Sequence, residues 1–255
     1  MITIKSQREL DSMKRAGDIV ARVLLLMQEM VVPGVTTLEL DRAAAELIRR
    51  SGAIPSFLGV PCAYGGIAFP GVICASLNEE VIHGIPGTRV LKEGDILSVD
   101  TGAILDGWHG DAARTFPVGK VSQEAIRLLA VTKDSFEAGI AAAIPGNRVR
   151  DISEAVQQLV EKNGFSVVRD FVGHGIGTEM HEEPQIPNYV GRERGPRLAE
   201  GMTLAIEPMV NVGTWKVNVL QDKWTVVTVD GKFSAHYENT IAVTANGPLI
   251  LTQCW

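Results

Sequence analysis

Two aspartates, Asp100 and Asp111, flank Asp106-Gly107 in the stretch G-D-I-L-S-V-D-T-G-A-I-L-D-G-W-H-G-D-A-A-R-T-F, from Gly94 to Phe116. An Asp-Gly pair between two strand-like apolar runs is a strong short-range signal for a two-residue hairpin turn. Pairing Leu105 with Trp108 across that turn sets Ala113 opposite Asp100 and Asp111 opposite Gly102. Both carboxylates then share one face as diagonal neighbours, at most about 7–8 Å apart. The run I-L-S-V-D suits a buried strand, and burying two like charges raises their pKa values at a substantial energetic cost unless something positive compensates. Arg114 lies three positions from Asp111 on the same strand and therefore points to the opposite face. A divalent cation, or a partner from elsewhere in the chain, fits better.

The elements that must position these acids recur. Leu91 to Asp100, L-K-E-G-D-I-L-S-V-D, aligns with Leu198 to Glu207, L-A-E-G-M-T-L-A-I-E, at an offset of 107 residues. His109-Gly110-Asp111 aligns with His236-Tyr237-Glu238 at an offset of 127, and Asp230-Gly231 is read as the turn joining the second strand pair. Pro33-Gly34 and a helical run to Gly52 recur as Pro145-Gly146 and a run to Gly164, at an offset of 112. Each half supplies two carboxylates, and the order helix, helix, hairpin holds in both. The pattern is that of an internal duplication about a pseudo-twofold axis. We expect one α/β (α+β) domain over residues 1–255, with halves of about 1–120 and 121–255 and antiparallel strands covered by helices.

Ser6 with Glu9 forms a capping box, and Leu10, Met13, Ile19, Val23 and Met27 mark the apolar stripe of a first helix ending before Pro33-Gly34. Thr36 with Glu39 opens a second, with Leu40, Ala44 and Leu47 facing the core. Two more helices are expected over about 123–143 and 150–162. After the second helix, residues 53–75 turn to Gly, Pro, aromatic and small apolar types, a composition that serves either a pocket wall or a partly buried connector.

His83 follows Val81-Ile82, where a lone histidine is more often a structural hydrogen-bonder than a catalyst. Gly173-His174-Gly175-Ile176-Gly177 lacks the G-x-G-x-x-G spacing of a nucleotide loop; its glycines let the backbone approach a bound group closely. His181 opens H-E-E-P, which is not H-E-x-x-H and carries Pro184 where a zincin helix would continue. Together, this close to a carboxylate cluster, His174 and His181 favour a metal site over core packing, with exposed polar residues as the remaining alternative. His109 and His236 alternate with the acids of the repeat and are read as structural.

At 255 residues and a formal net charge of −6, the chain can bury a substantial core and shows no basic footprint for strong nucleic-acid binding. Cys62, Cys74 and Cys254 form no close pair, which argues against a disulfide framework or a zinc knuckle and for a reducing cytosol. Neither a signal peptide nor a membrane span is visible.

Asp100, Asp111, His174, Glu207 and Glu238 stand in this order among N-E-E-V-I-H-G-I-P, D-G-W-H-G-D, G-H-G-I-G, H-E-E-P, I-E-P, W-T-V-V-T and S-A-H-Y-E-N-T. Over nearly its whole length the chain thereby resembles the type I methionine aminopeptidases. The resemblance implies the pita-bread fold and two divalent ions, with Asp111 and Glu238 bridging both, Asp100 completing one shell, and His174 with Glu207 the other. An oxygen-rich site with one nitrogen suits Mn²⁺, Fe²⁺ or Co²⁺ at least as well as Zn²⁺. The implied reaction is removal of the N-terminal methionine by metal-activated hydroxide attack on the first peptide bond. Glu207 would pass the proton to the leaving amine, and His83 and His181 would hydrogen-bond the substrate amide and the developing oxyanion.

By the same resemblance Tyr64, Phe69, Cys74 and Trp224 would line or lie near the methionine slot, with small residues preferred at the second substrate position. Met180 stands where an aromatic residue is common, Phe57 where a small one is, and the segment 60–68 is longer than usual. The expected partners are nascent polypeptide N-termini, with transient ribosome association, in the cytoplasm, for a monomer. Prolidases and aminopeptidase P share the fold and the acids, but usually carry an additional N-terminal domain, whereas the first helix here begins almost at Met1. A non-catalytic binding protein on the same fold is the third reading.

Overall fold

The computed structural model describes residues 1–63 and 65–253, so Tyr64 and Cys254 lie outside the described residues. In chain order the elements are α1 (Gln7–Met30), α2 (Thr37–Arg50), β1 (Ile54–Pro55), β2 (Ile73–Leu77), β3 (Glu80–Ile82), β4 (Ile96–Leu105), β5 (Trp108–Pro117), α3 (Gln123–Ala141) and α4 (Val149–Lys162). The second half continues with β6 (Ser166–Val167), β7 (Gly173–Gly175), β8 (Glu182–Ile186), β9 (Thr203–Ile206), β10 (Met209–Asn211), β11 (Val217–Val219), β12 (Val226–Thr228), β13 (Ser234–His236), β14 (Asn239–Ala242) and β15 (Leu249–Ile250). Both expected capping boxes form: Glu9 Oε2 accepts from Ser6 N at 2.7 Å, and Glu39 Oε2 from Thr36 N at 2.7 Å.

The β4–β5 hairpin turns at Asp106-Gly107 with both residues at positive φ, and its register pairs Asp100 with Ala113 and Gly102 with Asp111, as the sequence predicts. One edge of β4 takes β5; the other takes β1 and β2. The apolar stripes of α1 and α2, including Val20, Leu24, Met27, Leu40 and Ile48, pack with Ile73, Leu97 and Val99 into one core. Removing these side chains from water is the main force holding this half together.

The second half repeats the plan around α3 and α4, whose Phe136, Ile152, Val156 and Val160 belong to cores shared with Leu204, Ile206, Val210 and Ile241. The duplication is visible in the backbone itself. Gly34 N donates to Leu91 O, and Leu91 N to Val35 O; correspondingly Gly146 N donates to Leu198 O, and Leu198 N to Asn147 O. The residues capping α2 and α4 make matching isolated bridges, Thr36 with Val90 and Arg148 with Arg197.

The strand pair of the second half departs from expectation. Asp230-Gly231 does turn the chain between β12 and β13, but those strands do not pair with each other. Instead β12 lies between β11 and β3, while β13 joins β10, and β14 joins β9. The two-residue turn of the first hairpin is thus replaced by residues 212–233, and Glu207 and Glu238 sit where the paired strands break between β9 and β10 and between β13 and β14. Hydrogen bonds then stitch β5 to this break: Glu238 N donates to Ala113 O at 2.9 Å, and His236 N to Thr115 Oγ1 at 2.8 Å.

Candidate metal and substrate site

Asp111 on β5, His174 on β7 and Glu238 between β13 and β14 offer ligand atoms that all lie within 4.8 Å of one another, and all three residues are buried. Asp100 joins from β4, lining the same cavity as Asp111. Glu207 joins from the end of β9, its Oε1 3.5 Å from His174 Nε2. The strand break at Glu207-Pro208 turns this side chain toward the cluster, and Asn188 Nδ2 holds the Glu207 carbonyl at 3.0 Å.

Without a cation these acids are frustrated. Burial pushes Asp100 up to about 7 and holds Asp111, Glu207 and Glu238 well above the usual carboxylate range, the neighbouring carboxylates adding to it. Arg114 offsets this only at Glu238. As the strand alternation requires, its guanidinium turns away from Asp111, toward the Glu238 backbone carbonyl, Asn239 Oδ1 at 2.8 Å and the Tyr237 ring.

The donor set fits a divalent metal. Asp100 Oδ1, Asp111 Oδ1 and Glu238 Oε1 are buried with no hydrogen-bond partner among the described residues. His174 Nδ1 faces Gly175 O at 2.8 Å, which puts the ring proton on Nδ1 and leaves the Nε2 lone pair toward Asp111 and Glu207. Burial and nearby His181 hold His174 down at about 4, so the imidazole is neutral, as a ligand must be.

A cavity of about 330 Å³ opens above the acids. All five acid and imidazole positions named from the sequence line it, together with His83, His181, Phe69, Cys74 and Trp224. Phe57, Val60 and Met180 line it as well, so the segment after Ala53 walls a pocket. Hydrogen bonds between Gly59 and Phe69 and between Phe69 and Val60 pinch that loop at its neck, and Trp224 Nε1 ties it to Ile67 O at 3.0 Å. Phe69 meets the Trp224 ring edge to face at 5.1 Å.

His83 stands at φ 59, a conformation that L residues rarely occupy and that often marks a functional site. Gly84 follows because a Cβ there would strike the Ala75 and Ser76 backbone. The His83 ring lies edge-on to Phe171 and Trp224, and burial holds its pKa down at about 4. The His181 ring lies edge-on to that of His174, with centroids 4.4 Å apart, and its pKa is likewise held low by burial.

Several lining residues escaped the sequence reading. Ile82 and Phe171 lie close in sequence to His83 and His174, and adjacency to those histidines was the only signal available. Ser56 bonds His109 at 3.1 Å, consistent with a structural His109. His236 is different: its Nε2 is buried, unpartnered among the described residues and 3.9 Å from Glu207 Oε2, so the ring reaches the acid cluster. Strict alternation with Glu238 failed because the strand breaks at Tyr237.

The profile of Metallopeptidase family M24 matches residues 11–245. The methionine aminopeptidase of Clostridium acetobutylicum is 56% identical over 255 residues, covering 100% of both chains. The crystal structure of the methionine aminopeptidase of Thermotoga maritima superposes with a TM-score of 0.94 at 46% identity, over 99% of this chain and 100% of the other. The prolidase of Pyrococcus horikoshii gives a TM-score of 0.79 at 20% identity, over 99% of this chain and 64% of its own, a likeness of fold alone.

Proposed function

Since this chain belongs to metallopeptidase family M24, we propose that its clustered acids serve an aminopeptidase that removes the N-terminal methionine from peptides and nascent proteins. The observation that carries this reading is the convergence of Asp100, Asp111, His174, Glu207 and Glu238 beneath a cavity walled by Phe69, Trp224 and two neutral histidines. Residues 1–255 act as one catalytic domain, its halves supplying two carboxylates each.

Two divalent ions would complete the site, held by Asp100, Asp111, His174, Glu207 and Glu238. Four carboxylates and one neutral imidazole balance two such ions. Metal held there supplies Lewis-acid polarisation of the scissile carbonyl and lowers the pKa of water.

The chain's own residues do the rest. Phe69, Trp224, Phe57, Met180 and Cys74 enclose an unbranched apolar side chain and exclude water from it. His83 and His181, both neutral near pH 7, donate N–H groups to the substrate amide and to the oxyanion that develops on its carbonyl oxygen. Glu207, lining the cavity beside the acids, takes up at its carboxylate the proton that the attacking water gives up and delivers it to the departing amine. Confinement between the two histidines restricts the second substrate residue to small side chains.

Among the described residues no helix is long and apolar enough to cross a membrane. The reading places the protein in the cytoplasm as a monomer that meets nascent chains, with transient ribosome association. The deciding experiment assays the Mn²⁺-loaded and Co²⁺-loaded protein on Met-Ala-Ser, Met-Leu-Ser and Ala-Pro peptides. Release of methionine from the first, and little from the others, is expected; cleavage only before proline would move the enzyme to the prolidase class.

A further inference from the structure

The N-terminal segment contributes a buried charge that the chemistry above does not use. Lys5 is only 7% exposed, although lysine is rarely buried without a partner. Its Nζ pairs with Glu182 Oε2, across 177 residues of sequence, and both side chains are nearly enclosed. Thr3 Oγ1 donates to the same oxygen. The other carboxylate oxygen, Oε1, accepts from Thr178 N at 3.0 Å and Glu179 N at 3.4 Å.

Glu182 therefore gathers the N-terminal segment and both ends of the turn 178–182 onto one carboxylate. His181 is its immediate neighbour, and Met180 precedes it in the cavity wall. Two glycines make room for the arrangement. A Cβ at Gly177, the last residue of G-H-G-I-G, would fall on Glu182 Oε1 and within 2.8 Å of Lys5 Nζ. A Cβ at Gly201 would come within 2.7 Å of Ile4 Cγ2 and Lys5 O, where Lys5 N donates to Gly201 O at 2.8 Å.

We propose that Lys5 is a positioning residue: through its buried ion pair with Glu182 it fixes the turn that aims the His181 imidazole at the substrate. A charged pair held by four donors on one carboxylate restrains that turn more tightly than backbone bonds alone. The inference rests on the role given to His181 above. A reactive group displaced by a fraction of an ångström loses much of its effect, so Lys5→Met lowers kcat by about tenfold or more with little change in KM.

The test is a double-mutant cycle on methionine release from Met-Ala-Ser by the metal-loaded enzyme. Lys5→Met in a His181→Ala background lowers kcat by less than about twofold, because the group it positions is already gone. Lys5→Arg, which keeps the charge, restores most of the rate. Should Lys5→Met fail to fold, Glu182→Gln enters the same cycle. A second readout needs no activity: the His181 imidazole resonance in zinc-loaded protein, assigned by its loss in His181→Ala, shifts and broadens in Lys5→Met. Full additivity of the two substitutions, or an unchanged His181 resonance, overturns the proposal. Inactivity of the wild-type protein with the resonance shifted refutes the peptidase reading while leaving the clamp standing.

Discussion

Asp111 and Thr240 exchange two hydrogen bonds across the halves of the molecule: Asp111 N donates to Thr240 Oγ1 at 3.1 Å, and that hydroxyl donates to Asp111 O at 2.9 Å. A single fully buried hydroxyl thus locks the strand carrying one acid to the strand that follows Glu238.

Thr240→Val keeps the shape and removes both bonds, leaving the Asp111 N–H unpaired. The expected cost is about 1–3 kcal/mol of stability by denaturant unfolding. Calorimetric titration should also show weaker Mn²⁺ binding, because Asp111 and Glu238 no longer share a fixed frame. Wild-type affinity in this variant would mean that the frame is set elsewhere.

Metal removal should make stability depend on pH in a specific direction. A carboxyl whose folded pKa is raised holds its proton more tightly folded than unfolded, so it favours the fold at low pH and that contribution fades as pH rises from the ordinary 3.8 through about 7 at Asp100. Asp111, Glu207 and Glu238 act in the same sense. The buried histidines oppose this, adding stability as pH rises from their folded values, about 4 at His83 and about 3 at His236, to the ordinary 6.5. Above 6.5 the carboxyls act alone. Melting of the metal-free protein should fall in temperature as pH rises from about 6.5 through about 7, whereas the metal-loaded protein should show no such loss.

His181→Ala should lower turnover by roughly 10²–10³-fold, the range for losing one donor to an oxyanion, while metal content by elemental analysis stays at the wild-type level. His83→Ala should behave alike. Turnover unchanged in either variant would remove that histidine from the chemistry.

Phe69→Ala opens the wall against Trp224. KM for methionyl peptides should rise by about tenfold, with a smaller effect on kcat, since apolar side-chain contacts act mainly on binding. Circular dichroism checks that the variant remains folded, and a kcat effect equal to the KM effect would place Phe69 at the reacting bond instead.

Much of the site was legible because local rules carried it. Asp106-Gly107 fixed a turn, the turn fixed a register, and the register put Asp100 and Asp111 on one face. The offsets of 107 and 112 residues announced the second half, now visible as matching bonds at Gly34 and Gly146. Where a strand breaks, the same rules lost their grip. His236 could not be placed by alternation, because the ladder stops at Tyr237 before Glu238, and the Asp230-Gly231 turn joins strands belonging to different sheets.

The amino-acid order alone determined the helices, the hairpin, the pairing of like halves and the residue types of a candidate metal site, because each depends on spacing along one segment. Only the folded chain decided that Ser56, Phe57, Val60, Phe69 and Cys74 wall the cavity, that Arg114 turns toward Glu238 and Asn239, and that Lys5 meets Glu182. Those outcomes depend on which distant surfaces exclude water together, and a buried charge takes the nearest partner that packing brings to it, wherever that partner lies in the sequence.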